Sequence, residues 1–253
     1  MKKRLAKIII LYLLLFSYHI IYAASPKADA QAIVKKMDEL YRSKSSMATV
    51  EMEITTPHWT RTLKMKAWSS GMDKTFIRIL EPKKEMGIAT LRIGNEMWNF
   101  LPNTNKVIKI PPSMMMGSWM GSDFTNDDLV KEYTFINDYI FELTTVDNLQ
   151  EGVVYVKCTP KEGVPVVWGY IIVAVLDKDY TPLWEKFYDE KEQLMREINF
   201  RDPKTFGKRT IPTVMELIPS HKPGNKTTIR YLDIQFDIKL AEQIFSLRNL
   251  RSE

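Results

Sequence analysis

The chain of 253 residues has one cysteine, three histidines and ten glycines, and each scarcity excludes a class of chemistry. A lone Cys158 cannot close an internal disulfide, and no Cys-His pair or zinc-ligand set has workable spacing. Of the histidines, His19 falls in the N-terminal segment, His58 beside a predicted turn and His221 in a Pro219–Gly224 loop. The run from Gly87 to Gly94 lacks phosphate-loop spacing and reads as a strand between turns. Excess positive charge is also missing from the body of the chain. The formal charge is +5, but Lys2, Lys3, Arg4 and Lys7 precede any acid, the first being Asp29, and the remainder is close to neutral. A basic footprint for nucleic acid is therefore absent. With 45% hydrophobic and 26% charged residues, what remains has the balance of a folded globular protein.

The basic start is followed by an apolar run from Ile8 to Tyr22 and by the small residues Ala23, Ala24 and Ser25. This is the layout of a secretory signal, and residues 1–23 are expected to be a cleaved signal peptide. The competing reading is a retained membrane anchor, since a run of about 17 residues just spans a thin bilayer. No cysteine follows the run, so a lipid-anchored lipoprotein is not expected. Export to the periplasm, with residues 24–253 as one domain, is the resulting expectation. Without an internal bridge, such a protein holds together by its core alone.

Ala28, Ala32, Val34, Met37, Leu40 and Tyr41 recur at helical steps and predict one amphipathic helix within Ser25–Ser43, with Ser25-Pro26 at its start. After Ser45 the period becomes two. Val50, Met52 and Ile54, then Leu63, Met65 and Ala67, then Ala89, Leu91 and Ile93 alternate with polar residues. These predict half-buried antiparallel strands. Further strands are expected at 141–146, 153–159, 168–176, 183–188, 194–200, 213–218 and 227–238, separated by Gly, Pro and Asn turns. The whole predicts a mainly β sandwich or barrel of about 10–11 strands. Residues 168–176 are apolar on both faces, which demands a helix or second layer over one of them.

Residues 107–133 break the alternation. Pro111-Pro112 cannot continue a ladder, and Met114, Met115, Met116, Trp119 and Met120 crowd together before Phe124. Thr125 and Asp128 have capping-box spacing and predict a short helix. Asp127 and Asp128 are explained by that helix start, and Cys158 by a place in the core. Neither those acids nor Asp123 is read as catalytic. Methionine adapts to irregular apolar shapes, and three in succession point in three directions. Two readings stay open from spacing alone: a mobile flap over a greasy ligand, or a plug filling one end of the barrel. Met97, Trp98 and Phe100 place apolar atoms on both sides of one strand.

The passage from Leu80 to Pro102, the run Val107 to Met116 and Trp119-Met-Gly-Ser-Asp-Phe-Thr-Asn-Asp-Asp-Leu129 closely resemble the LolA-like outer-membrane lipoprotein-sorting family, in a divergent branch often associated with RND-type exporters. The resemblance implies a half-open antiparallel β-barrel with a helical lid over an apolar cavity that takes up lipid or lipoprotein acyl chains. It implies an inner-membrane transporter, ABC or RND-type, as donor and an outer-membrane acceptor; from charge and spacing, neither nucleic acid nor metal is expected as partner. No cofactor and no enzymatic activity are expected. The expected cavity and lid residues are Met65, Ile77, Ile79, Met97, Trp98, Phe100, Met114, Met115, Met116, Trp119, Met120 and Phe124. A non-carrying accessory protein of an exporter and an envelope-lipid hydrolase are the alternatives.

Overall fold

The computed structural model describes residues 29–41, 43–131 and 135–251; the signal segment and the Ser25-Pro26 helix start lie outside them. The first helix is α1 (Ala30–Tyr41). Its cap is Asp29, whose carboxylate accepts from the Gln31 N–H at 3.0 Å. Ala30, Ile33, Val34 and Met37 form its buried stripe.

Thirteen strands follow. The first six are β1 (Ser45–Thr55), β2 (Thr60–Ser70), β3 (Lys74–Glu81), β4 (Ala89–Ile93), β5 (Glu96–Leu101) and β6 (Lys106–Lys109). After α2 (Asn126–Lys131) and α3 (Phe135–Asp138) come β7 (Tyr139–Thr144), β8 (Val153–Pro160), β9 (Tyr170–Leu176), β10 (Pro182–Tyr188), β11 (Leu194–Phe206), β12 (Arg209–Pro219) and β13 (Lys226–Phe236). The short α4 (Leu247–Leu250) ends the described chain. The strand count exceeds the expected 10–11 because β3 and β6 were not read from the sequence. In β3, Lys74, Arg78 and Glu81 interrupt the apolar pattern, and β6 has only four residues.

All thirteen strands form one antiparallel sheet in the order β6-β5-β4-β3-β2-β1-β13-β12-β11-β10-β9-β8-β7. The chain thus lays down one arm outward from β1 to β6. It then crosses to the far edge and returns as a second arm that closes on β1 through β13. Edges β6 and β7 do not pair, so the barrel is half open. The described parts of the crossover between those edges, residues 110–131 and 135–138, lie across the concave face and are the cover of the site described below.

Three apolar clusters follow from this path. One joins α1 to Val156, Ile171, Val173, Val175, Phe187 and Leu217 of the second arm. Another joins Val50, Met52, Ile54, Leu63, Met65 and Ile79 of the first arm to Trp119 of the crossover. The third lies on the opposite face of the first arm, where Phe245 and Leu250 cover Phe76, Leu91 and Phe100. In β9, apolar on both faces, α1 covers Ile171, Val173 and Val175. On the outer face Ala174 is fully buried beside Tyr155 and Trp184, its register partners, whose rings lie 5.8 Å apart. Aromatic side chains of neighbouring strands therefore stand in for a second layer there.

Candidate functional site

A cavity of about 370 Å³ lies between the concave face of the sheet and the crossover. The period-two alternation that faces Val50, Met52, Met65 and Ala67 inward on the first arm supplies one wall, and Ile171, Phe187, Ile198 and Phe200 of the second arm supply the opposite one. Met37 and Tyr41 of α1 and Trp119, Phe124 and Leu129 of the crossover complete it. The cavity separates the first two apolar clusters, which would otherwise merge into one filled core. Its polar groups include hydroxyls of Ser43, Ser46, Ser69 and Thr75 near one end, Asp38 of α1, and a group around Asp127, Asp128, Asp138, Glu185 and Arg196.

The crossover folds on itself before it covers anything. The Trp119 N–H donates to the Phe124 carbonyl at 2.8 Å, and the N–H groups of Asn126 and Asp127 donate to the carbonyls of Gly117 and Met115 at 3.0 and 2.8 Å. Thr125 caps α2 reciprocally. Its N–H and hydroxyl donate to Asp128 Oδ2 at 2.8 and 2.9 Å, and the Asp128 N–H donates to Thr125 Oγ1 at 3.1 Å. This is the capping box expected from the sequence, with aspartate completing it.

Among the described residues, side chains fasten this unit to the sheet at four points. The Trp119 indole N–H donates to Thr90 Oγ1 of β4 at 3.1 Å. The Arg61 guanidinium of β2 donates to the Met120 carbonyl. Thr227 of β13 donates its hydroxyl to Asp123 Oδ2 at 2.8 Å. Arg196 of β11 holds Asp128 through both carboxylate oxygens, at 2.6 and 2.8 Å. The Arg196 guanidinium carbon lies 4.5 Å from the Trp168 ring centre and 4.3 Å from that of Phe187, while its Nε has no hydrogen-bond partner. Burial pushes the Asp128 pKa up, but the charge and hydrogen bonds of Arg196, with those of Thr125, outweigh it and hold the carboxyl below its ordinary value. This attachment therefore stays ionised through the physiological range.

A family model with the description "-like: Uncharacterized protein" matches residues 71–252. A protein domain from Vibrio parahaemolyticus, named for outer-membrane lipoprotein sorting, superposes with a TM-score of 0.76 at 23% identity, covering 88% of this chain and 98% of that one. A DUF1329 family protein from Desulfovibrio piger gives 0.78 at 22% identity, with 87% and 97% covered. A LolA superfamily protein from Nitrosomonas europaea gives 0.71 at 21% identity, with 87% and 98% covered. The chain belongs to the family of that model, and its fold is LolA-like. No curated protein matches it by sequence.

Within the LolA-like fold, four of the twelve expected site residues line the cavity: Met65, Ile77, Trp119 and Phe124. Ile79 and Met97 are buried in the adjoining apolar cluster, and Met115 and Met120 pack on it in part. Phe100 and Trp98 belong to the third cluster, on the outer face. Strand alternation explains that division: in β5, Met97 faces the concave side and its neighbours the other. Met114 and Met116 are 55% and 48% exposed, so the methionine run does point in different directions, two of them to solvent.

Arg61, Arg196 and Thr227 were not among the expected site residues, and Asp123 was considered only as a catalytic acid, not as an anchor of the cover. The usable signal was at Arg196, which holds an inward position two residues before Ile198 and four before Phe200, where the alternation calls for an apolar side chain. Cys158 is fully buried among apolar residues, and burial, with the Glu185 charge adding, raises its thiol pKa well above the ordinary value. Both His58 and His221 are exposed. Among the described residues no group of three His, Cys, Asp or Glu is placed to hold a metal ion, and no helix is long and apolar enough to cross a membrane.

Proposed function

We propose that this protein is a periplasmic carrier that takes lipid or lipoprotein acyl chains into its cavity and moves them toward the outer membrane. The observation that carries this reading is the apolar space of about 370 Å³ left between two packed clusters beneath a fastened cover. Protein interiors rarely leave such a volume unfilled. Each methylene moved from water into apolar surroundings gains about 0.8 kcal/mol. An apolar cavity of about 150 Å³ accommodates a benzene, so this one suits a chain of about fifteen carbon atoms. The adaptable side chains of Met37, Met52, Met65 and Met215 at its wall suit a cargo that must also leave. In this reading residues 1–23 are removed on export, residues 24–253 act as one unit, and a membrane transporter and an outer-membrane acceptor stand at the two ends of the route. Capture and release need no bond-making residue.

The test is to extract the purified protein with organic solvent and weigh what is released, beside an Ala67→Trp variant that fills the cavity from its β2 wall. Lipid from the wild type, its loss from the variant and an unchanged melting temperature are expected. A wild-type protein that yields no lipid, or a stable variant that yields as much, would overturn the reading.

A further inference from the structure

One end of the sheet gathers the turns β1–β2 (56–59), β3–β4 (82–88) and β12–β13 (220–225). They form one continuous surface. Gly224 lies so close to Pro57 that a Cβ on it would come 2.9 Å from the proline ring. Arg61 lies over the Trp59 ring, 5.9 Å from its centre, and reaches Glu85 of the next turn at 3.5 Å. The Thr56 hydroxyl accepts from the Trp59 N–H at 3.1 Å, which fixes the β1–β2 turn and holds the indole at its tip, 47% exposed. Met86, on the neighbouring turn, is 55% exposed.

The charges around these two side chains are not balanced. Three acids on or beside these turns are engaged: Glu85 by Arg61 at 3.5 Å, Glu81 by Lys64 at 3.6 Å and Asp123 by Lys222 at 3.9 Å. Lys83 and Lys84 are exposed and make no ion pair among the described residues. Lys222 is exposed on the third turn, where it faces Asp123. The tip therefore presents an indole and a thioether together with two lysines that no acid engages, on turns rather than in a groove.

We propose that this tip docks the protein on an anionic lipid bilayer surface. An indole settles at the boundary between headgroups and chains, where its ring is apolar and its N–H wet. Lysines extend their charge toward lipid phosphates while their stems stay on the apolar side. Each lysine near such a surface contributes about 1 kcal/mol, in a salt-dependent way. The inference stands apart from the cargo reading, since an empty protein would dock equally.

Co-sedimentation of the purified protein with vesicles tests it, using phosphatidylcholine alone and phosphatidylcholine mixed with phosphatidylglycerol. We expect pelleting with the mixed vesicles only, and its loss in high salt. Lys83→Glu/Lys84→Glu should bind at least roughly thirtyfold more weakly, and Trp59→Ser should also weaken binding. Lys178→Glu/Lys208→Glu, exposed on turns at the opposite end of the sheet, should bind as the wild type does. No pelleting by the wild type, equal pelleting with both vesicles, or equal loss in the opposite-end variant would each overturn the proposal.

Discussion

Arg196 is a charge placed where the strand pattern calls for an aliphatic residue, and its partner Asp128 is nearly as buried, with side-chain exposures of 8% and 19%. A pair of this kind contributes little net stability, because desolvation offsets attraction, but removing one member leaves the other uncompensated. Arg196→Ala should therefore cost roughly 3–5 kcal/mol in urea unfolding. An Arg196→Met/Asp128→Leu double variant should recover part of that loss, less the Thr125 cap that Asp128 completes, while leaving the cover with one attachment fewer. The pH dependence has a definite sign. The folded Asp128 pKa lies below the unfolded value of about 3.9, so its stabilisation is complete above that pH and falls away as the pH drops through the folded pKa. Unfolding experiments should show this pair's contribution constant between neutral pH and about 5, and declining only below that. Arg196 was readable in outline, as a charge in an apolar register. Asp128 as its partner was not, because the two lie on elements that no local pattern connects.

The crossover holds together as a unit because its backbone groups pair within it, and it meets the sheet through a few polar contacts. Asp123 is the most separable of them, since it reaches Thr227 without taking part in the turn's own hydrogen bonds. Asp123→Ala should leave the fold in place, lower the melting temperature by a few degrees and speed exchange of a bound fluorescent fatty acid. An unchanged exchange rate would show that this attachment does not govern access. The sequence marked this stretch clearly, through its prolines, its methionines and the Thr125–Asp128 spacing. Which methionines face inward was beyond it, because a turn-rich segment has no period to carry that information. The same limit applies to β6, whose four residues pair only with β5 and give too short a window for alternation to register.

Across the whole molecule, the order of strands places β1 and β13 at the centre and β6 and β7 at the rims. Amide hydrogen exchange should follow that order, slowest in β1 and β13 and fastest in β6, where a single neighbour supports the ladder. Uniform protection across the sheet would contradict it. The fold class was legible because period-two patterning repeats over most of the chain. The cavity was not, because alternation assigns a side chain to the concave side without saying whether anything fills the space beyond it. One topological fact ties these scales together. The segment roofing the hollow is also the cord that runs from one rim of the open sheet to the other. Rim strand β6 passes straight into the roof at Ile110, whose N–H donates to the Met97 carbonyl at 2.8 Å, so displacing that rim also displaces one end of the roof. A force on the edge of the first arm therefore reaches the roof through the backbone.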